Sequence, residues 1–491
     1  MSVLAFDLGA SSGRAILGRL TDRQMEIEEI HRFPNDPVHA GGRLYWDILR
    51  LYHEIKQGLL KVKHQGITLN SMAIDSWAVD FGFIAKNGEL LGNPYHYRDS
   101  HTAGIMSELF KKIPEAELFS RTGIQLLPFN TIFQLYALHK ANSPLLAAAD
   151  RLLMIPELLR YYLTGEMAGE FTNATTTQLF HPTLKRWDDT IISKLGFSPG
   201  WFGSVVQPGT AVGQLHSRLQ HELGIAGIPV VAAGEHDTAS AVAAVPASKR
   251  PFAYLSCGTW SLMGTEVEQP VIHELARKLK FSNEGGVCGT FRLLKNIMGL
   301  WILQECRRQW MQEGRAYSFP ELLQMAEQAP AFAAYIDPDD ERFLPQGNMP
   351  ERIREYCLQT GQSPPQEPEG IVRCILESLA LKYRYVLNQT EQLSGQAFDG
   401  LHMVGGGIQN QLLCQWTANA IGRPVWAGPA EGSAIGNLAV QWISQGELAD
   451  IWEARKVIGD SFPVIIYEPG SLEMWRHAYG SFLQKTGLKE S

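Results

Sequence analysis

The feature that most constrains this chain is a pattern that occurs twice. Residues 3–20 read as an apolar strand, a Gly-x-x-Ser turn and a second apolar strand, and FAYLSCGTWSLMGTEV from Phe252 repeats that outline. Gly9-Ala10-Ser11-Ser12 aligns with Gly258-Thr259-Trp260-Ser261 at an offset of 249, close to half of the 491 residues. Duplication is the economical explanation. It predicts two similar domains facing each other, residues 1–244 and 245–491, with the boundary in VPASKRP, residues 245–251. Length agrees, because a chain this long exceeds one ordinary core.

Strand-like and helix-like segments alternate, which indicates an α/β architecture. Residues 47–65 read as a helix with Asp47 as N-cap, a stripe of Leu51, Ile55, Leu59 and Val62, and Gly66 as its stop. Strands follow, with Asn87-Gly88 as a hairpin turn. In the second half Ile371, Ile375, Leu379, Tyr383 and Val386 form another stripe that ends near Gly395. LHMVGGG then reads as a strand running into three glycines, followed by a helix over residues 411–420 and a short strand at 424–427.

The opening turn concentrates an acid, Asp7, two glycines, Gly9 and Gly13, and two hydroxyls, Ser11 and Ser12. Glycine lets backbone N–H groups approach anionic oxygens and hydroxyls add donors, so each hairpin suits part of a nucleotide's phosphate tail. Asp7 then stands where a carboxylate can hold Mg²⁺. A plain turn needs glycine and serine as well. There is no G-x-x-x-x-G-K-[ST] loop and no G-x-G-x-x-G opening a helix after the first strand. Gly405, Gly406 and Gly407, between a strand and a helix, offer bare backbone to a base or ribose.

Transfer to an alcohol needs a second acidic centre, and GEHDTASA from Gly234 is the candidate. His236 and Asp237 fall at a strand-to-helix junction, where α/β proteins place function. Asp237 can accept a proton from an attacking hydroxyl, as an ordinary aspartate already ionised near neutrality; it can equally be an N-cap. His236 reads as readily as a packing residue. Asp75 and Asp80, flanking Trp77, could bind sugar hydroxyls or be solvated hairpin acids. NIMGLWILQECRRQW from Asn296 reads mostly as an amphipathic helix with Trp301 in the core, leaving Asn296 and Gln304 for polar contacts.

Other classes are disfavoured. The formal charge of −8 comes without a lysine or arginine stripe, which argues against nucleic acid as a partner. No apolar run is long enough for a membrane span and the N-terminus does not read as an export signal, so a soluble cytoplasmic protein is expected. The six cysteines are widely spaced and read as reduced, without a zinc site.

With these residues assembled, the chain resembles the FGGY family of carbohydrate kinases. FDLGASSGRA, YRDSHT, GIQLLPFNT, TNATTTQL, GEHDTASA, LSCGTWSLMG, NEGG, LKNIMGLW and VGGGIQN carry the likeness over nearly the whole chain. The resemblance implies two actin-like ATPase domains of ribonuclease-H type with the active site in the cleft between them. It implies ATP and Mg²⁺ as cofactors. Asp7, Ala10, Ser11, Ser12, Gly13, Arg14, Thr259, Gln304, Gly405 and Gly406 are the implied nucleotide-side residues, with Asp7 also at the metal. Asp237 is the implied general base, and Ala78, His236, Thr238 and Asn296 are implied to line the sugar site. The implied reaction is phosphoryl transfer from ATP to the 1-hydroxyl of a ketose, L-rhamnulose first, with L-fuculose, L-ribulose and D-xylulose as alternatives. An actin-like ATPase switch is the rival of a different class. The implied partners are small molecules, with a monomer or weak dimer expected. One position departs from the pattern: Ala78 stands where a glycine backbone contacts the sugar, which bears on which ketose is preferred.

Overall fold

The structure, a computed structural model, describes residues 1–490. The chain divides into two units, and both are discontinuous. The first comprises Met1–Ser248, Glu266–Leu293 and Gly432–Ser461; the second comprises Lys249–Thr265, Leu294–Glu431 and the chain from Phe462 onward. One cut in 245–251 therefore does not separate the units, because two later segments return to the first.

The first unit is organised on a six-stranded sheet in the order Thr210–Gln214, Pro229–Ala232, Ser71–Ser76, Ser2–Leu8, Ser12–Thr21, Gln24–Pro34. Ser2–Leu8 pairs antiparallel with Ser12–Thr21, placing Asp7 opposite Arg14, and parallel with Ser71–Ser76, placing Asp7 beside Asp75. The helix Ile48–His64 forms where its stripe dictates, with Leu51, Ile55, Leu59 and Val62 buried and the Asp47 carboxylate accepting from the Arg50 N–H at 3.1 Å. Asn87-Gly88 makes the expected tight turn, with Gly88 N–H donating to Ala85 C=O at 2.9 Å. Its return strand is reduced to a bridge between Ile84 and Leu90, because Phe81–Ala85 pairs instead with Ala149–Met154 over a core that buries Phe81 and Phe83.

The late segment is integral to this unit. The helix Gly432–Ser444 crosses the helix Asp237–Ala243 so closely that a Cβ on Gly436 would lie 1.7 Å from the Ser240 carbonyl oxygen. From the same helix Asn437 Nδ2 donates to Asp75 Oδ2 at 2.6 Å, and Gln441 Nε2 donates to Leu4 C=O at 3.1 Å.

The second unit repeats the plan. The second sheet has seven strands and runs Ser282–Gly285, Phe291–Met298, Trp260–Val267, Ala253–Cys257, Leu401–Val404, Val425–Ala427, Ile465–Tyr467. Again a hairpin leads, here Ala253–Cys257 with Trp260–Val267, and its first strand pairs in parallel with a strand that arrives after a long connection. The helix Pro368–Ser394 buries the expected stripe and ends at Gly395, whose φ is 66°. Asn296 is not on a helix: it lies in the strand Phe291–Met298, and the helix starts only at Trp301. Gly299 breaks the two apart, since a Cβ there would lie 2.9 Å from the Gly258 carbonyl oxygen.

The six thiols are free. Among the described residues no helix is long and apolar enough to cross a membrane.

Candidate active-site residues

In the first unit the turn of the leading hairpin is closed by Gly9 N–H donating to Ser12 C=O at 2.9 Å. Asn35 then occupies two turn carbonyls, its Nδ2 donating to Gly9 C=O at 2.8 Å and its N–H to Ser11 C=O at 3.1 Å. With those carbonyls engaged, the N–H groups of Ala10 and Ser11 donate to no described residue. Unsatisfied donors in an open turn are the chemistry an anion needs. Gly13 has no room for a side chain, since a Cβ would lie 2.3 Å from the Phe33 ring.

At the end of the same strand Asp7 is only 5% exposed and pairs with Arg14, Nη2 to Oδ2, at 2.5 Å. Asp75 lies beside it, fully buried, with Oδ1 unpartnered and Oδ2 held by Asn437. Burial, reinforced by the Asp7 charge, raises the Asp75 carboxyl well above the ordinary range. This carboxyl is not presented to solvent, so the reading of Asp75 as a sugar ligand or a solvated hairpin acid does not fit its place.

The loop before Asp237 is fixed by buried charge. Arg160 Nε donates to Glu235 Oε1 at 2.7 Å, with both side chains 1% exposed, and Ser76 N–H donates to Glu235 C=O at 2.9 Å. Thr172 Oγ1 accepts from the His236 N–H at 3.0 Å and donates to Glu170 Oε2 at 2.6 Å. The His236 ring lies between two groups: Arg292 Nη2, 3.0 Å from Nδ1, and Asp237 Oδ1, 3.5 Å from Nε2. Glu284 Oε2 stands 3.3 Å from the same Nδ1. Burial alone would raise Glu284, but hydrogen bonding to His236 and the Arg292 charge hold it at about 2. Buried Arg292 and Glu284 thereby fix the imidazole that faces Asp237.

Asp237 opens the helix Asp237–Ala243 and keeps 28% of its side chain exposed. Thr238 Oγ1 donates to Asp237 Oδ1 at 3.1 Å. His236, not Asp237, holds the N-cap position. The ordinary carboxyl expected from sequence is corrected: burial, with the Asp7 charge behind it, raises Asp237, opposed by His236. A part-exposed carboxylate with raised basicity is a competent proton acceptor near neutral pH. Ala78 belongs to the loop leaving Ser71–Ser76, whose last residue is bridged to His236.

The second unit gathers its own set. The turn carbonyls of Gly258 and Thr259 accept from the N–H groups of Leu300 and Trp301, which joins the hairpin to the start of the helix Trp301–Gln312. Thr259 Oγ1 and Gln304 Oε1 are 3.5 Å apart. The glycine loop packs against the hairpin's first strand: a Cβ on Gly407 would lie 2.4 Å from Cys257 Sγ, and one on Gly405, at φ 88°, 3.0 Å from Cys257 C=O. Gly406 differs, since a Cβ there would meet nothing within 4 Å. The unit thus brings Thr259, Gln304, Gly405 and Gly406 around one hairpin turn, with bare backbone facing open space.

Glu284 and Arg292, which hold the His236 ring, are the neighbours that sequence reasoning missed. The available signal was charge inside apolar strand sequence, in SNEG and FRLLKNIM. The donor set also fits a divalent cation. The Asp7 charge raises both Asp75 and Asp237, Asp75 Oδ1 is orphaned, and Arg14 is the cation paired with Asp7. Among the described residues no three His, Cys, Asp or Glu side chains are grouped to hold a metal.

The N-terminal domain of the FGGY family of carbohydrate kinases matches residues 2–244, and its C-terminal domain matches residues 253–444. A rhamnulokinase from Bacteroides thetaiotaomicron is 46% identical over 478 residues, covering 97% of this chain and 98% of that protein. A rhamnulokinase from Halalkalibacterium halodurans is 42% identical, covering 94% and 98%. Among solved structures, a gluconate kinase from Lactobacillus acidophilus superposes with a TM-score of 0.80 at 15% identity over 98% of this chain and 97% of its own. Plasmodium falciparum glycerol kinase with ADP superposes at 0.77 and 13% identity over 100% and 99%. These structures share the fold.

Proposed function

The chain belongs to the FGGY family of carbohydrate kinases, and from that membership we propose that it transfers the γ-phosphoryl group of ATP to the 1-hydroxyl of L-rhamnulose, giving L-rhamnulose 1-phosphate and ADP. The observation that carries the reading is Asp237: a part-exposed carboxylate of raised basicity, next to a histidine locked by a buried Arg–Glu pair, in a chain whose relatives are rhamnulokinases.

Phosphoryl transfer asks a protein for positioning and charge compensation more than for covalent chemistry. Asp237 accepts the proton of the attacking hydroxyl, while Thr238 and His236 hold its Oδ1 in one orientation. The hairpin N–H groups of Ala10 and Ser11, the hydroxyls of Ser11 and Ser12 and the guanidinium of Arg14 receive phosphate oxygens in the first unit. Thr259, Gln304, Gly405 and Gly406 receive the rest of the nucleotide in the second, and His236, Thr238, Ala78 and Asn296 contact the ketose. Asp7, with water, would hold Mg²⁺, which would supply neutralisation of phosphate charge. Ala78 is not among the residues of positive φ, so a methyl group there carries no backbone strain.

The test is ADP release with Mg·ATP and L-rhamnulose, L-fuculose, L-ribulose, D-xylulose or glycerol, against a no-sugar control. L-rhamnulose is expected to give the highest kcat/KM. Preference for another ketose moves the substrate, and sugar-independent ATP hydrolysis overturns the kinase reading in favour of a nucleotide switch.

A further inference from the structure

Four residues, Trp77, Ala78, Val79 and Asp80, join Ser71–Ser76 to Phe81–Ala85, and one of them is in an unfavourable conformation. Val79 has φ 67°, a region that a β-branched residue avoids. The Asp80 N–H donates to Ala78 C=O at 2.9 Å, closing a three-residue γ-turn around Val79 in its rare, strained form. Such strain persists only where the surroundings over-determine it, and it concentrates where a ligand is clamped.

The surroundings do over-determine it. Val79 C=O accepts from Thr131 Oγ1 at 2.7 Å and from Gln134 Nε2 at 3.4 Å. The Asp80 carboxylate is wholly buried and accepts four hydrogen bonds: Trp46 Nε1 at 2.6 Å, Trp77 Nε1 at 3.0 Å and Tyr97 N–H at 3.1 Å on Oδ2, and Gln134 Nε2 at 2.7 Å on Oδ1. The Trp46 and Trp77 rings pack 4.0 Å apart, so the hub also fixes an aromatic wall. Neither carboxylate oxygen is left for a sugar, which removes the reading of Asp80 as a direct ligand. What the turn does leave are the N–H groups of Ala78 and Val79, half-buried and donating to no described residue.

We propose that Asp80 is a positioning residue for the sugar: its four-donor hub holds Val79 in the strained turn, so that the adjacent N–H groups of Ala78 and Val79 read a hydroxyl or carbonyl oxygen of the ketose. The inference rests on the ketose-kinase reading above and deepens it. Selectivity then comes from backbone geometry, and the side chain at position 78 is secondary.

The test compares wild-type enzyme with Val79→Gly and Asp80→Asn, reading KM for L-rhamnulose and for ATP, the kcat/KM ratio of L-rhamnulose to L-fuculose, and Tm. Glycine relieves the strain, so Val79→Gly is expected to hold or raise Tm while KM for L-rhamnulose rises several-fold and the ratio falls. Asp80→Asn turns an amide NH₂ towards N–H donors, and KM for the ketose is expected to rise by about tenfold or more with KM for ATP within about twofold of wild type. Should Asp80→Asn fail to fold, Val79→Gly decides alone. Unchanged ketose KM and unchanged ratio in Val79→Gly overturn the proposal while leaving the kinase in place. A wild-type enzyme that phosphorylates no ketose overturns both.

Discussion

The two units use one scaffold for opposite chemistry. In each, a hairpin leads and its first strand pairs in parallel with a later strand, so the ends of those strands are equivalent places. In the first unit those places hold Asp7 and Asp75, with Asp237 close enough for its charge to be felt at Asp75. In the second they hold Ser256 and Val404, and the loop beyond is bare glycine. On the proposed reading, charge that costs desolvation is collected where a proton would move and phosphate charge would be met. Backbone without side chains is collected where a flat, largely uncharged group would lie close. The repeat supplies the frame, and the residues at strand ends divide the labour.

The largest expected effect breaks the acidic side of this comparison. Asp237→Asn removes the proton acceptor and keeps its shape, so kcat falls by about 10²–10⁴-fold, with far-UV circular dichroism and ATP affinity unchanged. In wild type the acid limb of the kcat/KM profile lies above the ordinary carboxylate range, because Asp237 is raised and must be deprotonated to act.

The glycine side breaks by position. Gly407→Ala puts a methyl group 2.4 Å from Cys257 Sγ, and we expect about 1–3 kcal/mol of destabilisation in denaturant unfolding. Gly406→Ala meets nothing within 4 Å, so stability holds while KM for ATP rises and KM for the ketose does not. Equal KM changes for both substrates would remove this loop from the nucleotide side.

A smaller effect distinguishes the units by titration. Burial pushes Asp80 and Glu157 up to about 7 and Glu170 to about 8, all in the first unit. The folded chain therefore holds protons that an unfolded chain has released above about pH 4.5, so the stability they contribute is lost progressively as pH rises from about 4.5 through 7–8. At the other end His96, pushed down to about 3 by burial, favours the unfolded chain below about 6.5. The raised carboxyls outweigh the one lowered imidazole, so Tm should be highest at about pH 4.5 and fall by about pH 8.5; in Glu170→Gln that fall should be smaller.

Much of the frame was legible because its signals are local. The hairpin turns, the helix after Asp47 and the strand into Gly405 each announce themselves within a dozen residues, through alternation, capping and glycine. Asp237 was legible by its junction, but its raised basicity was not, because that depends first on burial and then on Asp7, distant in sequence and brought near by the sheet. Asp80 illustrates the same limit of local patterns: its donors Trp46, Tyr97 and Gln134 come from three separate stretches of the chain, so an acid that reads as a sugar ligand or a solvated hairpin acid proves to be wholly buried and engaged. The discontinuity of the first unit was hidden too, since nothing in GSAIGNLAVQWIS marks Asn437 and Gln441 as partners of residues 75 and 4.

That last arrangement affects how the chain is made. Synthesis at about 5–20 residues per second leaves roughly ten to forty seconds between the emergence of residue 248 and that of residue 461. Through that interval the nascent first unit lacks the helix that bonds Asp75 and covers the Leu4 carbonyl, and its nearly finished sheet must wait for the end of its own message.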